Sequence, residues 1–167
     1  MSISIILFSI IFRDFEVIIM KNFETYYIED DEYIELLKND IFEGVNKQDN
    51  LNYKSNVKAK MTSYYYFVSE KPKSLNKLKS FLNNYNITES WGNIYSKGDY
   101  TLPHKHDSYA DWTSGKYDIS GVLYLSDSKT GTYFDELNIE IKAEKGKVVY
   151  LIQNWYIRCQ KLKKKKE

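Results

Sequence analysis

The chain carries two histidines, His104 and His106, separated by a single residue. In an extended segment, positions i and i+2 project to one face, so both imidazoles can converge on one point. Neutral imidazole is a common ligand for metals of the iron, zinc and copper range. Pro103, immediately ahead of His104, favours an extended approach to the pair. The same spacing also fits two surface histidines on a polar loop, because Lys105 and Asp107 flank them. Spacing alone leaves both readings open.

The scaffold that would position them belongs to one domain, since the chain has only 167 residues. With 43% hydrophobic and 28% charged residues, the composition is globular and excludes a disordered tail, a collagen-like repeat and a polytopic membrane protein. The formal charge of +1 carries no strong nucleic-acid signal. Residues 161–167 hold five Lys and one Glu, which leaves the first 160 residues at −3. That basic tail reads as a short solvated segment. Tyr occurs 16 times but Arg only as Arg13 and Arg158, a bias expected of an A/T-rich genome, so Lys and Tyr counts say little about function.

Cys159 is the single cysteine and allows no internal disulfide, so nothing points to secretion. The first 12 residues are apolar, short of the ~20 needed to span a bilayer. No basic leader precedes them and no small-residue cleavage site follows. Residues 1–19 therefore read as a buried strand, an interfacial anchor, or a leader upstream of a true start at Met20. Residues 20–160 read as the single domain, with 161–167 as its tail.

Helical periodicity at Ile34, Leu37 and Ile41, behind the acids Asp30, Asp31 and Glu32, predicts a helix over Asp31–Phe42. Ser74 as N-cap before Leu75, Leu78, Phe81 and Leu82 predicts a second over Ser74–Asn84. Between them, Met61–Val68 is rich in β formers and predicts a strand, which also accounts for the Tyr64-Tyr65-Tyr66-Phe67 run. Further strands are predicted over Ile87–Tyr95, over Tyr117–Leu125 with its period-2 alternation, around Leu137–Ile141, and over Val148–Ile152. Gly98-Asp99, Gly131 and Lys145-Gly146-Lys147 fall between strands, where turns are expected. Helices followed by closely spaced strands make the expected class α+β, with the β part a sandwich or small barrel.

Two stretches carry a resemblance. One runs from Ser90-Trp91-Gly92-Asn93-Ile94-Tyr95 through Gly98-Asp99 to Pro103-His104-Lys105-His106. The other is Ile119-Ser120-Gly121-Val122-Leu123-Tyr124-Leu125, followed by Gly131 and by Gly146-Lys147-Val148-Val149-Tyr150. Together they resemble the Fe(II)- and 2-oxoglutarate-dependent dioxygenases, in the prolyl-hydroxylase-like branch of phages and marine microbes. The resemblance spans roughly Ser90 to Tyr150, with a weaker echo over Val57–Thr62.

It implies a double-stranded β-helix (jelly roll, cupin-like) with flanking helices, Fe(II) as metal, 2-oxoglutarate as cosubstrate and hydroxylation as the reaction. His104 would be the first iron ligand and His106 the second, where many relatives carry Asp. Asn93, Tyr95 and Tyr124 would stand around the cosubstrate. The location implied is the cytoplasm, of the host if the source is viral. The substrate, a peptide side chain or a small molecule, is left open, as is the oligomeric state. The 109–118 stretch, longer than expected and containing Trp112, would shape the pocket.

The departures are specific. The resemblance implies a distal His after the late strand, yet no His follows His106 and Arg158 stands about where it is expected. Arg is permanently cationic and cannot replace imidazole on a metal. The further strand with an Arg that clamps 2-oxoglutarate is missing, and its loss is expected to expose a sheet edge. Arg158 or Lys161 are the remaining candidates for that carboxylate, and Cys159, Asp135 or Glu136 for a third ligand. The expected function is therefore a dioxygenase, or a degenerate copy that turns over poorly. The alternatives are a non-redox cupin-like domain that binds a metal or ligand, and a viral β-sandwich interaction protein.

Overall fold

The computed structural model describes residues 3–12, 23–47, 56–81, 86–105, 117–135, 138–151 and 156–159. Its strands are β1 (Ile3–Phe12), β2 (Phe23–Tyr27), β3 (Val57–Lys58), β4 (Lys60–Met61), β5 (Asn86–Tyr95), β6 (Tyr100–Thr101), β7 (His104–Lys105), β8 (Tyr117–Tyr124), β9 (Gly131–Phe134), β10 (Ile139–Lys142), β11 (Lys147–Leu151) and β12 (Tyr156–Cys159). Its helices are α1 (Asp31–Lys47), α2 (Tyr66–Ser69) and α3 (Ser74–Phe81). Helices and antiparallel sheets are thus combined in one chain, an α+β arrangement.

Two sheets carry the architecture. One has six strands in the order β2-β11-β8-β1-β5-β4, the other four in the order β10-β9-β12-β7, and β3 pairs with β6 in a small third ladder. Every strand pairing among the described residues is antiparallel. The six-stranded sheet buries both faces, and period-2 alternation assigns its side chains. Ile94, Leu123, Leu125 and Val148 join Ile34, Leu37 and Ile41 of α1 and Leu75 and Leu78 of α3 in one core. Trp91, Tyr95, Val122, Tyr124 and Val149 join Phe134 and Ile141 of the four-stranded sheet in the other. Helices cover one face and the second sheet the other.

Helix α1 starts where Asp30 caps it: Oδ1 accepts the Tyr33 N–H at 2.9 Å. Tyr33, Ile34, Leu37, Ile41 and Gly44 form its buried stripe, and the helix runs to Lys47 rather than stopping at Phe42. Helix α3 begins at Ser74 as expected, and residues 82–84 of its predicted span lie outside the described residues. Its cap differs. The Ser74 hydroxyl has no partner, and the backbone N–H of Ser74 donates instead to Asp40 Oδ2 of α1 at 3.1 Å.

The predicted Met61–Val68 strand is corrected. Only Lys60–Met61 is extended, and Tyr66–Ser69 forms a helical turn. Tertiary packing outweighs β propensity here. Buried Tyr66 and Phe67 join the helical core, and Tyr66 Oη donates to the Asp40 carbonyl at 2.7 Å. Gly131 is also corrected: it opens β9 instead of forming a turn. A Cβ there would overlap the Ile141 carbonyl of β10. Gly146 does turn the chain, at φ +79°.

The apolar leader is placed within the six-stranded sheet. β1 pairs with β5 from Ile3↔Tyr95 to Ile11↔Asn86, and with β8 from Ile5↔Tyr124 to Phe12↔Tyr117. Its neighbours bury side chains on both faces of the sheet, so a strand between them has to be uncharged throughout. The edge expected to be exposed after Tyr150 does not arise at that strand. β11 is paired on both sides, with β2 and β8, and β12 is paired with β7 and β9. Among the described residues, no helix is long and apolar enough to cross a membrane.

Candidate functional site

Three of the residues singled out from sequence are buried on strands of the six-stranded sheet, Asn93 and Tyr95 on β5 and Tyr124 on β8. Asn93 and Tyr95 alternate with Ile94 along β5 and share a face with Trp91. Tyr124 lies on β8, and Ile5 of β1 is the register partner of both Asn93 and Tyr124. The two tyrosines are satisfied by threonines. Tyr124 Oη donates to Thr132 Oγ1 of β9 at 2.7 Å, which ties one sheet to the other. The Tyr95 and Thr101 hydroxyls lie 2.6 Å apart. Thr101 and Thr132 went unnoticed in the sequence, where a lone Thr in a short strand looks like ordinary β propensity.

Asn93 is different. It is 0% exposed, and neither Oδ1 nor Nδ2 has a hydrogen-bond partner. Leaving a buried amide unpaired costs about 1–3 kcal/mol per group, so such a residue calls for an account beyond packing. A carboxamide offers one acceptor and two donor hydrogens, which suits a small polar ligand with both kinds of atom.

His104 lies on β7, the edge strand of the four-stranded sheet, in a short extended segment as expected. Its Nδ1 is 2.9 Å from the Leu102 carbonyl. A carbonyl only accepts, so Nδ1 is the donor in this contact. An anchor of this kind on one ring nitrogen is what orients a metal-ligating imidazole. His106 lies outside the described residues, as do residues 109–116 of the long connection that follows it.

Strand β12 decides what faces His104. Ile157 is the register partner of His104 on one side and of Phe134 on the other. Cys159 stands opposite Thr132. Arg158 falls opposite Tyr133, out of step with that row. The position directly across from the first candidate ligand is therefore isoleucine. Among the described residues, no three His, Cys, Asp or Glu side chains come together to hold a metal ion. The described residues do not fit a three-ligand iron centre. Among the described residues, the buried polar side chains of this region are hydroxyls and an amide: Thr101, Thr132 and Asn93.

No protein-family model and no curated protein matches the chain. Among solved structures, a viral collagen prolyl hydroxylase from Paramecium bursaria Chlorella virus-1, in a 2OG complex, aligns over 84% of this chain and 88% of its own length. The TM-score is 0.53 at 18% sequence identity, so the likeness is one of fold.

Proposed function

We propose that this chain is a degenerate relative of the 2-oxoglutarate-dependent dioxygenases. In this reading its two sheets form a double-stranded β-helix, and its inter-sheet core binds a small polar acid of the 2-oxoglutarate type without oxidising a substrate. The observation that carries the binding half is Asn93, buried with both amide atoms unpaired and, by alternation along β5, on the face of Tyr95. Its Nδ2 would donate to a carboxylate or keto oxygen, with the hydroxyls of Tyr95 and Tyr124 in the same layer. The fold likeness to a hydroxylase crystallised with 2OG supports the ligand class.

The loss of turnover rests on β12. In an intact relative, Fe(II) held by three protein ligands would supply the oxidising chemistry. Here His104 and His106 are the candidate ligands, and the residue opposite His104 is Ile157, which has no donor atom. Two imidazoles without a third protein ligand hold a divalent ion loosely.

The test uses the intact chain with Fe(II), ascorbate and 2-oxoglutarate. The expected result is a rise in melting temperature with 2-oxoglutarate that disappears in Asn93→Leu, together with no succinate above background. Sustained succinate production would mean an intact enzyme with an unassigned third ligand. Absence of any thermal shift would remove the binding half.

A further inference from the structure

We propose that the gap filled by β1, between β5 and β8, is a strand acceptor that takes Ile3–Phe12 from a second copy of this chain, giving a β1-exchanged dimer. The argument begins with strand order. Among the described residues, β5 and β8 are joined within the sheet only through β1. Withdrawing β1 leaves two unpaired edges facing each other across one strand width. Both edges carry deeply buried side chains, Trp91 and Ile94 on β5 and Val122 and Leu123 on β8. An open slot of that kind has a strong demand for a strand.

The demand is specific. The occupant has to be uncharged over its whole length, because its neighbours bury both faces. β1 consists only of Ile, Leu, Phe and Ser. Its register is marked as well. The β5 ladder shifts between Ser9 and Ile10, while the β8 ladder runs unbroken from Ile5 to Phe12. A strand with the right length and chemistry, and the register that matches the extra residue Thr88 of β5, is supplied by every other copy of the chain.

The tether permits both arrangements. β1 and β2 are three inter-strand steps apart in the sheet order, about 14 Å. Ten residues, 13–22, join them and reach up to ~35 Å when extended. Closure within one chain therefore has slack at ordinary concentration. Reciprocal exchange makes the same contacts in a closed two-fold pair, so only tether entropy separates the two states. A ten-residue connection corresponds to an effective concentration of about the millimolar range, and exchange competes when the protein approaches it.

The experiment removes Cys159 as Cys159→Ser and places single cysteines at Ser9→Cys in one sample and Glu89→Cys in another, since Ser9 and Glu89 are register partners. An equimolar mixture is unfolded, refolded at about 1 mM and oxidised. The expected result is a disulfide-linked heterodimer on denaturing gels, in at least tenfold excess over the same mixture refolded at a hundredfold dilution. Deleting residues 14–20 leaves three residues to span the gap and should give an obligate dimer with the far-UV dichroism of the full chain. Equal, background heterodimer yield at both concentrations would overturn the proposal, as would a folded monomer from the deletion variant.

Discussion

Ile157 on β12 stands directly opposite His104 on β7, and the same isoleucine is the register partner of Phe134 on β9. An apolar residue therefore occupies the register position opposite the candidate metal-binding residue. Arg158, which the sequence places near the expected distal ligand, is one residue out of step. This pairing makes the metal chemistry testable in both directions. His104→Ala should abolish what divalent-metal binding the chain has, and Ile157→His should raise affinity for Co(II) or Fe(II) by tenfold or more. Anaerobic titration followed by absorption spectroscopy reads both. An unchanged affinity in Ile157→His would show that β12 does not face the metal.

Asn93→Leu should stabilise the protein while removing its ligand response. The amide is buried with two unpaired atoms, and an apolar side chain of similar size relieves that penalty. A gain of about 1–2 kcal/mol is expected, which for a domain of this size raises the melting temperature by roughly 2–8 °C. Thermal unfolding without ligand is the measurement. A large loss of stability would mean that the amide serves the fold.

The two partners at the start of α3 should respond unequally. Asp40 Oδ2 accepts the Ser74 N–H across two helices, so Asp40→Ala should cost about 1–2 kcal/mol, in the range of a lost cap. Ser74→Ala should cost nothing and raise stability by up to about 1 kcal/mol, because its hydroxyl is buried without a partner. Urea unfolding of the two variants separates these values.

Alkaline pH should destabilise the fold through its buried tyrosines. Burial, followed by the nearby Asp40, Glu43 and Glu70 carboxylates, pushes Tyr66 up to about 12. Tyr33 and Tyr26 are raised as well, chiefly by burial. In each case the folded state holds its proton above the pH at which the unfolded chain releases it. The stabilisation is therefore complete below about pH 10 and is lost as pH rises through the folded values. Tyr66→Phe should flatten the decline between pH 10 and 12 while costing about 1 kcal/mol at neutral pH, from the bond to the Asp40 carbonyl. Denaturant melts across that pH range measure the slope.

Local chemistry determined much of the fold before any contact was known. Period-2 alternation located β8 and β10, an apolar run located β11, 3.6-residue periodicity and Asp30 located α1, and glycine located the turns at Gly98 and Gly146. Asn93, Tyr95 and Tyr124 were singled out through the family resemblance alone, and the structure buries all three. What the tertiary structure alone decided was pairing between segments distant in sequence. It set β1 between β5 and β8, turned Tyr66–Ser69 into a helix against α1, and brought Thr132 to Tyr124 and Asp40 to Ser74. It also put Ile157 rather than Arg158 across from His104. Alternation and capping depend on neighbours along the chain and can be read from it. Register between strands depends on which apolar faces pack together, and a shift of one residue exchanges everything that faces the site.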